Sequence, residues 1–284
     1  MSLAVTNPIQ GSQRLLGPVV LNRWSPLHQG LVAYYSIRPG FGGVKDLLWG
    51  PNGTLTGNDM FTSNPVAGHG VKFDGTSGGV SVAGANRLNG LIDLTVSTWF
   101  VRPSGGIQFP MLVQKSDPVT SNNQTRRWQV TLNTTSNFLL FIAGYSTAGG
   151  IWRTTNADVL LTNILHNFTV VYTHADTAQD PTLYVDGRSR AVTESTTPLG
   201  TAADDDDALF IGDNDDDTLE FNGSIYLVAI WNRRLSAAEA WRLYDPATRW
   251  ELEEESHFPV LTGTLDITVP SIAPPKKLIS VSIG

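Results

Sequence analysis

The sequence predicts an all-β protein: a two-sheet antiparallel jelly-roll sandwich with one short helix near its C-terminal end and extended arms at both ends. Three observations predict it. Short apolar runs recur between turn residues from Gly30 to about Trp250, which is the spacing of a sandwich. Some runs alternate with period two. From His166 to Thr173, Phe168, Val170 and Tyr172 share one face, expected to be the core face, while Thr169, Val171 and Thr173 share the other. Finally, the run Gly223 to Trp231 passes through Asn232-Arg233-Arg234 into a single capped helix.

Taken in order, residues 1–28 hold Pro8, Gly11, Gly17, Pro18 and Pro26 with only short apolar runs, so they read as an extended arm. Residues 29–250 form the sandwich, with strands expected near 31–36, 71–74, 79–83, 94–102, 110–115, 127–133, 138–144, 167–173, 182–186, 208–212 and 224–231. The last of these is apolar on both alternating sets, Ile225, Leu227, Ala229 and Trp231 against Tyr226, Val228 and Ile230. Such a strand is central, or its outer face meets a partner. Ser236 and Glu239 then form an S-x-x-E capping box, and Asp245-Pro246 stops the helix.

Residues 251–284 form a β-prone tail. Thr262 to Val269 and Lys276 to Gly284 read as strands separated by the stiff spacer Pro270 to Pro275. They follow the point where the sandwich should already be closed. Such a tail is explained by pairing with another chain or sheet edge, and a strand folded back on its own domain is the alternative.

Composition narrows the function classes. Charged residues are 16% of the chain and there is no cysteine, which excludes disulfides, zinc-thiolate sites and thiol nucleophiles. The first residues show no signal peptide, and no apolar stretch is long enough for a membrane helix. The net charge is -7, yet nine acids and no base lie between Asp204 and Glu220, leaving about +2 elsewhere (-7 + 9). No basic stripe exists, so nucleic acid is not an expected partner.

Several pieces occur in a recognisable order: GLVAYYS (Gly30 to Ser36), GVKFDG and GVSV (Gly70 to Val82), LTVSTWFVRP (Leu94 to Pro103), HNFTVVYT, TLYVDG (Thr182 to Gly187), ALFIGDN (Ala208 to Asn214) and FNGSIYLVAIWNRRLSAAEAWRLY (Phe221 to Tyr244). This set resembles the laminin-G-like, concanavalin-A-like jelly-roll superfamily. The stretches around Trp24 to Tyr35 and Leu243 to Leu252 also resemble variants of the module found in tailed-bacteriophage virion proteins. Family members commonly carry an acid after Gly-x-Ile in the last strand, and this chain has Tyr226 there.

The candidate metal ligands are Asp213, Asp215 and Asp217, whose alternating oxygens could wrap calcium. The run is not an EF-hand, because Thr218 and Ser224 stand where that loop needs glycine and glutamate. A solvated or partner-facing loop is the other reading. Trp49, Trp128, Trp152 and Tyr145 lie near predicted loops or strand ends and are the candidate sugar-stacking residues, each weighed against local packing. Trp99 and Trp231 are expected in the core. None of the seven glutamates opens an E-x-D-x-x-E pair, the five histidines are scattered, and no G-x-S-x-G elbow occurs. No catalytic residues are therefore assigned.

The resemblance and composition together imply a non-enzymatic virion structural protein. It would be a capsid decoration or accessory protein of a tailed phage that contacts other copies of itself and a capsid protein through arm and tail. It would be made in the host cytoplasm and end on the virion. The alternative is a glycan-binding adhesion module of a phage tail fibre or bacterial surface.

Overall fold

The computed structural model describes residues 19–38, 43–57, 60–116, 126–155, 161–202, 208–214 and 218–255. The chain starts with β1 (Val19–Leu21), a 3-10 turn (Pro26–His28), β2 (Leu31–Arg38), β3 (Gly43–Asp46), β4 (Thr54–Leu55) and β5 (Met60–Asn64). It continues with β6 (Gly68–Asp74), β7 (Val80–Val82), β8 (Asp93–Val101), β9 (Met111–Ser116), β10 (Arg126–Asn133) and β11 (Phe138–Ala143). Next come β12 (Gly150–Thr154), β13 (Leu165–Thr173), β14 (Thr182–Val185), β15 (Arg188–Arg190) and β16 (Val192–Thr196). The last elements are β17 (Ala208–Ile211), β18 (Asn222–Trp231), helix α1 (Ala237–Arg242) and β19 (Glu253–Glu255).

These strands build two large antiparallel sheets. One has the order β16-β12-β11-β10-β9-β17-β7-β4, and the other β15-β14-β13-β8-β18-β2-β3 with β6 and β5 added beside β18. Each strand predicted between residues 31 and 231 has its counterpart. The apolar rows of facing strands meet between the sheets, where Phe168, Val170 and Tyr172 pack with Val130, Phe141 and Trp152. The alternation in β13 therefore points as expected, with Thr169 on the opposite face donating to Ser97 Oγ at 2.9 Å.

Strand β18 is central, pairing with β8 along one side and with β6 and β2 along the other. Strict alternation misplaces its first half. A register shift against β8 falls between Ile225 and Leu227, so Tyr226 is an extra residue that flips the following order. Ile225, Val228 and Ile230 face the inter-sheet core. Tyr226, Leu227, Ala229 and Trp231 face outward into a second core with Leu21, Leu27, Trp99, Leu235, Leu243, Trp250 and Leu252. The cover on the outer face thus comes from this chain itself.

That second core extends the packed body beyond residues 29 and 250, the boundaries expected for it. Strand β1 pairs with β19 in the register Val19 to Glu255, Val20 to Glu254 and Leu21 to Glu253. Leu27 is fully buried, and Trp231 Nε1 donates to its carbonyl at 2.6 Å. Apolar burial of one such side chain contributes about 1.5–3 kcal/mol, which is why residues near both ends pack when a sheet face lies bare. The tail strands expected at 262–269 and 276–284 lie outside the described residues.

Helix α1 forms where the capping box predicts. Ser236 Oγ accepts from Glu239 N–H and Glu239 Oε2 accepts from Ser236 N–H. Arg233 donates to Glu239 Oε1 at 2.6 Å and to the Gln29 carbonyl at 2.7 Å, fastening the helix start to the N-terminal turn.

Candidate functional site

The acidic loop begins where β17 ends. Gly212 adopts φ +82°, and a Cβ there would lie 2.2 Å from the Phe73 ring, so only glycine lets the chain turn out of the sheet. Asp213 follows and is buried, its Oδ1 accepting from Asn214 N–H at 2.7 Å. Its Cβ presses on Gly79, where an added Cβ would sit 2.7 Å away. Asn214 Oδ1 accepts from Thr218 N–H at 2.8 Å and Leu219 N–H at 2.9 Å, which draws the two limbs of the loop together. Asp215 and Asp217 lie outside the described residues, so Asp213 alone of the expected ligand set is placed. Among the described residues no three acids or histidines gather as a metal site.

The four candidate sugar-stacking residues divide sharply. Trp128, Trp152 and Tyr145 are buried between the sheets. Trp152 Nε1 donates to Asp180 Oδ1 at 2.7 Å, and the Tyr145 and Tyr172 hydroxyls are 2.8 Å apart. These side chains are core, as are Trp99 and Trp231. Trp49 is 87% exposed.

Trp49 owes its position to a single carboxylate. Buried Asp46 ends β3, and its Oδ1 accepts from Tyr34 N–H and Leu48 N–H, each at 3.0 Å, while Oδ2 accepts from Gly50 N–H at 3.1 Å. Trp49 N–H donates to the Asp46 carbonyl at 3.2 Å. Arg87 Nη1 closes the turn from below by donating to the Leu48 carbonyl at 2.6 Å. The turn forces Trp49 to φ +63°, an unfavourable region for a bulky residue. Gly50 is obligatory, since a Cβ there would lie 2.1 Å from Asp46 Oδ2. A large aromatic is thus held out in water by a rigid, strained turn.

Sequence reasoning missed a second such residue. Trp24 is 92% exposed, on a turn where Asn22 Oδ1 accepts its N–H at 3.0 Å. Its available signal was an aromatic between the turn formers Asn22 and Ser25-Pro26 with no apolar partner in period.

Among the described residues the histidines do not converge on a reaction centre. His166 Nδ1 lies 2.9 Å from Asp186 Oδ2, and Asp186 Oδ1 also accepts from Asn167 N–H at 2.9 Å. Asp186 has φ +53° in the turn between β14 and β15, so the pair holds that hairpin. Tyr226, where an acid is common in similar sequences, is buried against Gly70, whose added Cβ would meet its ring at 2.6 Å.

A laminin-G family model described as the concanavalin A-like lectin/glucanases superfamily matches residues 74–240. The chain belongs to that superfamily. A search of curated protein sequences found no match. Among solved structures, this concanavalin A-like chain is similar to Trypanosoma rangeli sialidase in complex with sialic acid, with a TM-score of 0.56 and 15% identity. That match covers 76% of this chain and 33% of the sialidase, so the chain spans about a third of that protein. It is similar to domain 4 of the GH43 extracellular arabinanase AbnA of Geobacillus stearothermophilus, in complex with arabinotriose. There the TM-score is 0.53 and the identity 15%, over 76% of this chain and 98% of that domain. The receptor-binding domain of botulinum neurotoxin type G is similar with a TM-score of 0.55 and 14% identity, over 76% of this chain and 51% of that one. At these identities the likeness is one of fold.

Proposed function

We propose that this protein is a non-enzymatic glycan-recognition module in which Trp49 is the stacking platform. The observation that carries the reading is an indole held in water at positive φ by a turn that a buried carboxylate pins. Water exposure of an aromatic that size, together with backbone strain, is costly unless a ligand covers the ring. The faces of sugar rings are flat and rich in C–H, which suits such a platform. Two proteins of similar fold are seen with saccharides, the sialidase with sialic acid and the arabinanase domain with arabinotriose. A glycan array followed by calorimetry on hits tests the reading. Binding to a defined saccharide that weakens at least tenfold in Trp49→Ala is expected. Binding unchanged in the variant, or turnover of the saccharide, overturns it.

A second reading is favoured by a separate observation. The β1–β19 register sets Val19 opposite Glu255, so the first and last described residues lie side by side. A module tethered at one place suits an accessory protein of a tailed-phage virion, held to capsid and to its own copies by arm and tail. Mass spectrometry of purified particles tests it, and finding the protein only in the soluble fraction speaks against it. Calcium at Asp213, Asp215 and Asp217 belongs to neither reading by necessity.

A further inference from the structure

His174 directly follows β13 and sits between the sheets, 8% exposed. Its N–H donates to the Ile92 carbonyl at 2.7 Å, closing the bend before β8 against the end of β13. The imidazole stands edge-on to Tyr172, with centroids 4.9 Å apart, and tilted to Tyr145 at 5.9 Å. Neither Nδ1 nor Nε2 makes a well-formed hydrogen bond among the described residues, though the backbone of Ile92, Arg127 and Leu91 lies near enough to pull weakly toward the charged ring. A buried histidine so poorly hydrogen-bonded is more stable neutral than charged.

The surrounding charges reinforce that preference. Arg127 at the start of β10 is buried, and its Nη2 donates to the Leu91 carbonyl at 2.9 Å. Tyr145 and Tyr172 are mutually hydrogen-bonded. In the connection to β14, Asp176 is exposed and Asp180 accepts from Trp152 Nε1. Asp93, at the start of β8, is half-buried and lies 3.8 Å from Arg234. Among these groups the charge that bears on the imidazole is that of Arg127, which disfavours a second cation.

We propose that His174 is an acid-responsive plug: on taking up a proton it becomes a second buried cation beside Arg127 and drives apart the 91–93 bend, the start of β10 and the end of β13. Burial, reinforced by Arg127, pushes the imidazole down to about 3, against a weaker opposite pull from the backbone of Ile92, Arg127 and Leu91. The ordinary value is 6.5, so the closed form is at full strength above pH 6.5. It weakens as pH falls from there to about 3, where the closed form itself takes up the proton. Opening would expose Tyr145, Tyr172 and Trp152 at one end of the sandwich. The proposal does not depend on glycan binding.

Amide hydrogen exchange on the intact chain tests it, corrected for the intrinsic effect of pH. Protection at residues 93–94 and 172–174 is expected to fall about tenfold per pH unit over the range between the two values. His174→Gln is expected to flatten that slope, and His166→Gln to leave it unchanged. Equal slopes in wild type and His174→Gln overturn the proposal. If the variant does not fold, NMR titration of histidine-labelled wild type decides. A His174 resonance still neutral at pH 5 supports the plug, and one titrating near 6.5 overturns it.

Discussion

The Tyr34 hydroxyl donates to Glu253 Oε1 at 3.0 Å, joining residues 219 positions apart in sequence, and both side chains are buried. This bond ties the large sheet to the short β1–β19 ribbon that helps cover it. Tyr34→Phe removes the donor and leaves a buried carboxylate less well satisfied, so unfolding free energy is expected to fall by about 1–3 kcal/mol. Urea denaturation checks it, with the midpoint lowered and the slope unchanged.

The same bond sets where the chain can be shortened. If the tail serves a neighbour, a chain ending at residue 255 keeps its cooperative thermal transition and loses assembly or particle binding. A chain ending at residue 250 also loses Leu252 from the outer core, and Glu251, which accepts from Ser25 Oγ at 2.7 Å. It is expected to be less stable by at least about 2 kcal/mol. Calorimetric melts of the two truncations distinguish these outcomes.

Two tryptophans should respond oppositely to truncation. Trp49→Ala is expected to change stability by less than about 0.5 kcal/mol, because the indole is in water, while removing saccharide binding. Trp128→Ala leaves a cavity between the sheets and is expected to cost about 3–5 kcal/mol. Denaturation curves measured beside binding isotherms separate the roles.

The helix cap gives a pH signature distinct from that of His174. The Arg233 guanidinium, with help from Ser236, holds the Glu239 carboxyl down to about 2 against an ordinary 4.5. Its contribution is complete above pH 4.5 and is lost as pH falls through about 2. Ser236→Ala is expected to cost about 1 kcal/mol at neutral pH. Glu239→Gln should reduce the acid dependence in that window, as followed by circular dichroism melts across pH 2–7.

The strands with long apolar runs were legible, since β8, β13 and β18 announce themselves by β-branched and aromatic content. Shorter ones such as β7, β14 and β17 were legible too, but several others were not. Strand β5 (Met60 to Asn64) and strand β16 (Val192 to Thr196) are largely exposed edge strands, and β12 carries Gly150 and Arg153 within five residues. Each exists because a neighbour offers a ladder: Trp152 is fixed by pairing with Phe141 and Glu194. Position near a loop could not reveal that Trp128 and Trp152 turn inward while Trp49 turns outward. That depends on the strand partners of the first two and on the Asp46 carboxylate beneath the third.

By itself the sequence determined the all-β class, the order of the main strands, the inward face of β13 and the capped helix at Ser236. These follow from alternation, propensity and capping, which act between residues a few positions apart. Only the tertiary structure decided that Tyr226 interrupts the alternation of β18, that Leu21, Leu27 and Leu252 cover its outer face, and that His174 lies beside Arg127. Those outcomes arise from contacts between distant segments, and a side chain's surroundings there are set by pairing register and by which bare apolar surface needs cover.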